Sequence, residues 1–427
     1  MVDSLTGLDG YDTFINTIQK VREDIGDKVI PLVYTDIKHF KYFNDTYGYK
    51  RGNELLARMA QLVSANKDEY ICGSRVVSDN IVTAGYVEGL SVDELFSHIY
   101  GQVGDIEQKL RKEFNCNRIR LASGVYFLTK DNLDIDPETA VSNANLARKQ
   151  AKEPGAKSVV VFRKEMADNI NRELEILASV DDAIENRELK AFYQPKVDSE
   201  TGEITGAEAL VRWEKPDHSF VYPDQFIPAI EKSGQIIDVD YFMYEEVFSF
   251  IREKLDAGES IVPISMNVSR QHLKNLEIIE FIRGLMEKYE IPPEYLEFEL
   301  TESVCMEDSD RVMEFIDAFH DMGITVSMDD FGSGYSSLNL LSEMPIDIIK
   351  LDRCFLHSAL MEKKERVIIS SIINMTKELE MRSLCEGVET VQQSEFLKSI
   401  GCDAQQGYLH SKPITKEAFE EVLRKSR

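Results

Sequence analysis

Apolar positions recur along this chain in two rhythms, short unbroken runs and three-to-four-residue spacing, and the two alternate. In the first third, short apolar runs stand at VIPLVYTDI (29–37), YICGSRV (70–76), NIVTAGY (80–86), IRLASGVYFL (119–128) and SVVVF (158–162). These predict strands, and the second and third flank a polar turn, so they predict a pair. Between the runs the spacing predicts helices from Asn53 through Leu62, over 91–114 and over 137–152. Strands and helices in this alternation give a compact α/β sandwich with a mixed sheet.

After SVVVF the rhythm changes. The stretch 163–189 has no Gly or Pro, many charges and apolar residues at helical spacing. It predicts a helical connector, which divides the chain into a domain at 1–163, a connector at 164–190 and a second domain at 191–427. In the second domain eight strand candidates follow in order: AFYQPKV, AEALVRW, ISMNVS, LEFELTE, TVSMDD, IIKLD, SLCEGV and QQGYL. Most are separated by helical stretches. Only DSETGEITG lies between the first two, too short for a crossover helix, so these two predict an antiparallel hairpin. The sum is a TIM-type (β/α)8 barrel with one antiparallel strand.

Composition narrows the function. Asp and Glu total 76 against 49 Lys and Arg, a formal net charge of −27, which opposes nucleic-acid polymers and anionic lipid surfaces. No run approaches the ~18 apolar residues of a membrane span. The N-terminal residues carry acids early and have no apolar core, so a signal peptide is not expected. The chain opens directly on a motif, which leaves a preceding domain as an expectation. Six cysteines form no CxxC pair and read as buried free thiols in a reducing, cytoplasmic compartment. The seven histidines form no HExxH pair and read as surface or satisfied core residues.

The chemistry sits at the strand ends of the second domain. Glu208, Glu299, Glu302, Asp329, Asp330, Asp352, Glu386 and Glu389, with Asn267 and Lys350, all fall at or near them. In a barrel the carboxyl ends of parallel strands share one rim, so these groups converge. Crowded carboxylates need cations between them. Oxygen donors of this kind select Mg2+, Mn2+ or Ca2+. Two ions roughly 3.5–4 Å apart are a standard device for phosphate-ester hydrolysis. Lys350 can then orient the attacking water, and Arg212 can hold a phosphate or stack on a base.

YQP (193–195), EALVRW (208–213), MNVS (266–269), ELTE (299–302), DDFGSGYSSL (329–338), KLD (350–352), CEGVET (385–390) and QGYL (406–409) together resemble the EAL domain, a family of bacterial cyclic-di-GMP phosphodiesterases. The resemblance covers roughly 170–427. It implies hydrolysis of cyclic-di-GMP to linear pGpG. Glu208, Asn267, Glu299 and Asp329 would bind a first metal, and Asp329 and Asp330 a second, with Mg2+ or Mn2+ as the working ion and Ca2+ inhibitory. Lys350 would help activate the water, Glu386 would act in the metal–water network, and Glu389 and Asp352 would position Lys350 or the water. Gln194, Leu210, Arg212 and Gln406 would contact the dinucleotide. Glu302 would hold the loop after the fifth strand, whose flexible points are Gly332 and Gly334 and which in the family links dimerisation to the metal site. A homodimer through this domain is implied. The alternatives are a non-catalytic cyclic-di-GMP receptor, which in this family usually lacks metal ligands, and a protein-binding scaffold.

The first domain resembles the nucleotidyl-cyclase-like GGDEF domain through DSLTGL (3–8), FKYFND (40–45), YGYKRGN (47–53) and AKEPG (151–155). Its signature turn is degenerate: Val77, Ser78, Asp79, Asn80 and Ile81 stand where GGDEF should. Asn53 replaces an expected Asp, Tyr11 an Arg and Lys38 a common second acid, and DEYI (68–71) replaces the inhibitory RxxD motif. Val77 is β-branched and disfavours the positive φ a glycine would allow. Cyclase activity is not expected. Asp36 and Asp79 match metal-ligand positions, Asn44 a guanine contact and Lys152 a phosphate contact. These leave GTP as a regulatory ligand, against the preferred reading of a structural spacer.

Overall fold

The structure, a computed structural model, describes residues 2–307, 309–332, 341, 343–356 and 363–425, and the elements counted are those of the described residues. Ser333 and Gly334 lie outside them. The chain forms two compact units that divide between Arg172 and Glu173, within the helix Lys164–Glu185.

The first unit carries β1 (Ile30–Ile37), β2 (Tyr70–Val77), β3 (Asn80–Gly85), β4 (Leu121–Leu128) and β5 (Val159–Val161), ordered β2-β3-β1-β4-β5. Only the β4–β5 pairing is parallel, so the sheet is mixed. Side chains of β1 alternate between two apolar clusters, as the two-residue period of a strand requires. Leu32 and Tyr34 join Phe14, Ile18, Ala140 and Ala144 from helices Tyr11–Glu23 and Pro137–Lys152. Val33 and Ile37 meet Leu55, Met59, Leu95 and Ile99 from helices Tyr49–Val63 and Val92–Phe114. In the β2–β3 turn the left-handed residue is Ser78 (φ 53°), while Val77 stays in the ladder opposite Asn80. The β-branched side chain thus avoids the strained position assigned to it from sequence.

The second unit is a closed barrel. Its strands are β6 (Leu189–Asp198), β7 (Ile204–Glu214), β9 (Ile264–Asn267), β10 (Leu296–Thr301), β11 (Thr325–Phe331), β12 (Ile348–Leu351), β13 (Arg382–Cys385) and β14 (Ala404–Gln405), with a short β8 (Phe220–Val221) appended to β7. β6 is antiparallel to both neighbours, β7 and β14, and the other barrel pairings are parallel. The β6–β7 turn forms because Asp198 Oδ1 accepts the N–H groups of Glu200 (3.0 Å) and Thr201 (2.7 Å), an arrangement open to a short acid side chain.

β13 and β14 are shorter than the runs SLCEGV and QQGYL. Beyond Cys385 and Gln405 the two segments bond to each other outside a regular ladder: Val388 N–H donates to Gln406 O (3.1 Å) and Leu409 N–H to Val388 O (2.9 Å). Gly407 permits this approach, since a Cβ there would lie 2.2 Å from Val388 O. Among the described residues no helix is long and apolar enough to cross a membrane.

Helices cover the barrel with apolar stripes. Helix Ile236–Asp256 buries Val239, Met243, Val247 and Ile251, and helix Pro223–Ser233 buries Phe226 and Ile230. Phe226 packs edge-on against Trp213 at 5.5 Å, and Trp213 Nε1–H donates to Glu188 Oε2 at 2.9 Å. Both rings are fully buried. Trp213 is the chain's one tryptophan, so its fluorescence reports the barrel alone. Replacing Phe226→Ala removes a buried ring and is expected to cost about 3–5 kcal/mol. Urea titration followed by Trp213 emission should show a lower midpoint; an unchanged midpoint contradicts this account of the core.

Candidate metal centre

Five strands aim polar side chains into one end of the barrel. Glu208 (β7), Glu299 (β10), Asp329 (β11) and Lys350 (β12) are buried, and Glu386, just past β13, is half-buried. The Lys350 ammonium is the centre of the group. It lies 3.1 Å from Asp329 Oδ1, 2.7 Å from Glu386 Oε1 and 3.6 Å from Glu208 Oε2, and it also ion-pairs with Glu299. Asn267, at the end of β9, donates from Nδ2 to Glu208 Oε1 at 3.0 Å. Gln406 donates from Nε2 to Glu208 Oε2 (2.6 Å) and to Gln194 Oε1 (3.2 Å), and its own buried Oε1 meets no donor among the described residues.

The electrostatics follow from enclosure. Burial opposes charge on Lys350, but Asp329, Glu208, Glu299 and Glu386 together push its pKa well above the ordinary lysine value. Burial and then the repulsion of Glu299 raise Glu208, against the pull of Lys350. Burial also raises Asp329, against Lys350 and with Glu299, and Asp330 follows through burial and Asp352. Glu386 rises to about 8, again by burial first, with Lys350 opposing. Glu299 differs: burial raises it, but Lys196 and Lys350 overcome that and bring it to about 2. Most of these carboxylates therefore need more positive charge than Lys350 supplies.

Two carboxylate groupings could take it. Glu208, Glu299 and Asp329 bring ligand oxygens within 4.8 Å of one another, and so do Asp329, Asp330 and Glu386. Asp329 belongs to both. An all-oxygen donor set suits a hard divalent ion, and the shared aspartate suits adjacent ions.

Other residues singled out in the sequence stand around this cluster. Glu302 Oε2 accepts the Gly332 N–H at 2.8 Å, tying the start of the loop after β11. Leu210 and Arg212 are half-buried and line a cavity of about 240 Å3 with Asn267, Asp240 and Tyr244. Asp352 and Glu389 do not ion-pair with Lys350. The chain leaves β12 at Leu351, and Asp352 Oδ1 instead accepts the Cys354 N–H (2.8 Å) at the start of a 3-10 turn. Glu389 is exposed in the turn before helix Val391–Ser399.

Two buried groups were missed from sequence. Lys196 reaches Glu297 and Glu299, 2.9 Å each. Its signal was its place two residues after Gln194, on the same strand face. Asp240 accepts from His272 Nε2 (3.0 Å) beside the cavity, and its signal was an acid within the apolar stripe of helix Ile236–Asp256.

In the first unit the matching acids are already engaged. Asp36 is buried and ion-pairs with both Arg148 and Lys152, the residue read as a phosphate contact. Asp79 Oδ2 accepts the Ile37 N–H at 3.1 Å. Among the described residues, groupings of three or more candidate ligands occur only in the second unit.

Comparison with known proteins agrees with this architecture. The family model for the EAL domain matches residues 177–413, and the model for the diguanylate cyclase GGDEF domain matches 1–158. The bifunctional diguanylate cyclase/cyclic di-GMP phosphodiesterase MucR of Pseudomonas aeruginosa is 30% identical over 406 residues, 95% of this chain and 58% of MucR. The cyclic di-GMP phosphodiesterase PdeR of Escherichia coli is 28% identical over 425 residues, 98% of this chain and 62% of PdeR. The chain thus spans between half and two thirds of the length of these curated relatives. The solved PaMucR phosphodiesterase in complex with c-di-GMP is 34% identical, with a TM-score of 0.55 over 57% of this chain and 99% of that one. With the EAL match spanning more than half of its residues behind a GGDEF match, the chain belongs to the EAL domain family as a GGDEF–EAL tandem.

Proposed function

We propose that the second unit hydrolyses one phosphodiester of cyclic-di-GMP to linear pGpG with two Mg2+ or Mn2+ ions, and that the first unit makes no cyclic-di-GMP. The observation that carries this reading is the complete donor set around Lys350: Glu208, Glu299, Asp329 and Glu386 in contact with its ammonium, Asn267 on Glu208, and Asp330 beside Asp329.

Glu208, Asn267, Glu299 and Asp329 would hold the first ion, and Asp329 and Asp330 the second. When bound, the ions lower the pKa of water and offset the charge that develops on the phosphoryl oxygens. Lys350, fixed by Glu386 and Asp329, orients the attacking water. Glu386 accepts a hydrogen bond in the same network, whereas Asp352, on the turn after β12, and Glu389, exposed before helix Val391–Ser399, stand outside it. The water oxygen bonds to phosphorus, the P–O3′ bond breaks, and a proton ends on the departing O3′. Arg212 and Leu210 hold the dinucleotide from the cavity wall, and Gln194 and Gln406, bonded to each other beside Glu208, contact it from the barrel interior. Glu302 steadies the loop after β11, and the working form is a homodimer through the EAL domain. All six cysteines are free and five are buried, which supports a cytoplasmic setting.

The first unit keeps its sheet but spends its acids internally. The charge of Asp36 is compensated by Arg148 and Lys152, which weakens its attraction for a Mg2+–triphosphate. A structural spacer is the role this supports.

Chromatography of cyclic-di-GMP incubated with the protein should show pGpG with Mg2+ or Mn2+, and none with Ca2+ or chelator. Tight binding without product in every condition means a receptor. Glu208→Gln should lower turnover at least ~100-fold at unchanged Trp213 emission, since it removes charge at a ligand of the first ion. Retained turnover contradicts the assignment.

Lys350→Met leaves the buried carboxylates without their ammonium, which costs about 3–5 kcal/mol. The urea midpoint should fall in chelator and recover in part with saturating Mn2+, because a ligand that binds only the folded state stabilises it. No recovery contradicts the metal centre. GTP with Mg2+ should yield no cyclic-di-GMP, assayed with Glu208→Gln so that any product accumulates; its formation overturns the spacer reading.

A further inference from the structure

Lys196 sits on β6, the reversed strand, and its side chain is buried at 5% exposure. It does not turn to a neighbouring strand. It crosses the barrel interior to β10, where its Nζ donates to Glu297 Oε1 and Glu299 Oε1 at 2.9 Å each. Glu297 and Glu299 are two residues apart on β10 and so face the same side. Among the described residues Glu297 has no other ion-pair partner, whereas Glu299 has two: Lys196 takes Oε1, and Lys350 takes Oε2. Both oxygens of Glu299 are thereby pinned, and the rotation of its carboxylate is fixed.

Gly206 of β7 pairs with Lys196 across the hairpin. A Cβ at Gly206 would crowd Pro263 O at 3.3 Å, while at 3.5 Å from Lys196 Cδ it would make only ordinary contact, so the lysine stem runs directly along this strand. Ser265 of β9, fully buried, pairs with Glu297 in the ladder and favours the charged form of Glu299. Lys196 is therefore an internal brace at the level beneath the carboxylates that gather around Lys350.

We propose that Lys196 is a positioning residue of the metal centre: by anchoring Glu299 Oε1 across the barrel it sets the orientation in which Glu299 meets a divalent ion beside Glu208 and Asp329. The role rests on the metal-dependent reading of the same site. It differs from Lys350, which faces the water and the rim. Partners that orient a metal ligand typically contribute about 10–100-fold to metal affinity.

The test uses Mn2+ alone as probe, titrated into the full chain and followed by electron paramagnetic resonance. Lys196→Met by itself would leave Glu297 uncompensated, so it is paired with Glu297→Gln. The pair removes one positive and one negative charge, keeps side-chain volume and leaves the net charge of the interior unchanged. The double variant should bind Mn2+ about 10–100-fold more weakly, with the urea midpoint of Trp213 close to that of the unaltered chain. In turnover it should need correspondingly more Mn2+, while kcat at saturating Mn2+ stays within roughly threefold. Unaltered Mn2+ affinity in the folded double variant overturns the proposal.

Glu297→Gln alone keeps Lys196 on Glu299 and should hold Mn2+ affinity within roughly threefold; a loss as large as that of the double variant overturns it as well, and this mild change remains readable if the double variant does not fold. An unaltered chain that binds Mn2+ and releases no pGpG overturns the hydrolase reading and leaves the role of Lys196 standing, because the resonance signal reads the ion alone.

Discussion

A closed barrel with four carboxylates aimed at one interior point can exist only if positive charge sits among them. Lys350 supplies the first of it. Fully buried, it is within ion-pair reach of Glu208, Glu299, Asp329 and Glu386, which arrive on four different strands or strand ends. Desolvating an ammonium costs several kcal/mol, and only contact with several anions at once offsets that. The requirement fixes register, because a one-residue slip of β12 would point the ammonium into the surrounding apolar shell and strand the acids. The aromatic packing of Trp213, Phe226 and the helix Ile236–Asp256 holds the strands in that register, and the site depends on the packing for its geometry.

Much of this was legible in the sequence because acids in strand ends are conspicuous against apolar runs. Glu208, Glu299, Asp329 and Lys350 stand at such ends, and the short DSETGEITG link was enough to reverse one strand. The less legible part concerns direction. Asp352 falls two residues after Lys350 and would share its face had β12 continued, but the chain turns at Leu351 and the carboxylate caps the turn instead. Lys196 was invisible for the opposite reason. A lysine in a strand reads as a solvated edge residue, and only register shows that it crosses the interior. Asp240 was hidden in the same way, by a partner, His272, that lies 32 positions away in sequence.

The first unit builds its packing almost independently of the β2–β3 turn. Its two apolar clusters lie on opposite faces of the sheet, and of residues 77–81 they use only Ile81, which is buried in one of them. Ser78 holds the left-handed position of the turn, where a single such residue costs of order 1 kcal/mol, and the Arg75 side chain donates to its carbonyl at 2.7 Å. The buried Asp36 needs positive charge beside it, and Arg148 and Lys152 both supply it from the helix Pro137–Lys152.

The second unit resolves the same problem in the other direction. Among the described residues Glu208, Glu297, Glu299, Asp329, Asp330 and Glu386 gather around two ammonium groups, Lys196 and Lys350, with Arg212 also acting on Glu208. The shortfall is graded with depth. Glu299, held between both lysines, sits at about 2, while Glu386 at the mouth is pushed to about 8 and Glu208, Asp329 and Asp330 are raised. The deep charge is met by side chains and the outer charge is not. Divalent ions drawn down that gradient would meet the carboxylates at the mouth first and stop above Glu299, because below it Lys196 closes the interior with a charge of their own sign. On the proposed two-ion reading, two divalent ions would offset the carboxylate charge that the lysines leave, and the position of the lower lysine would set where they come to rest.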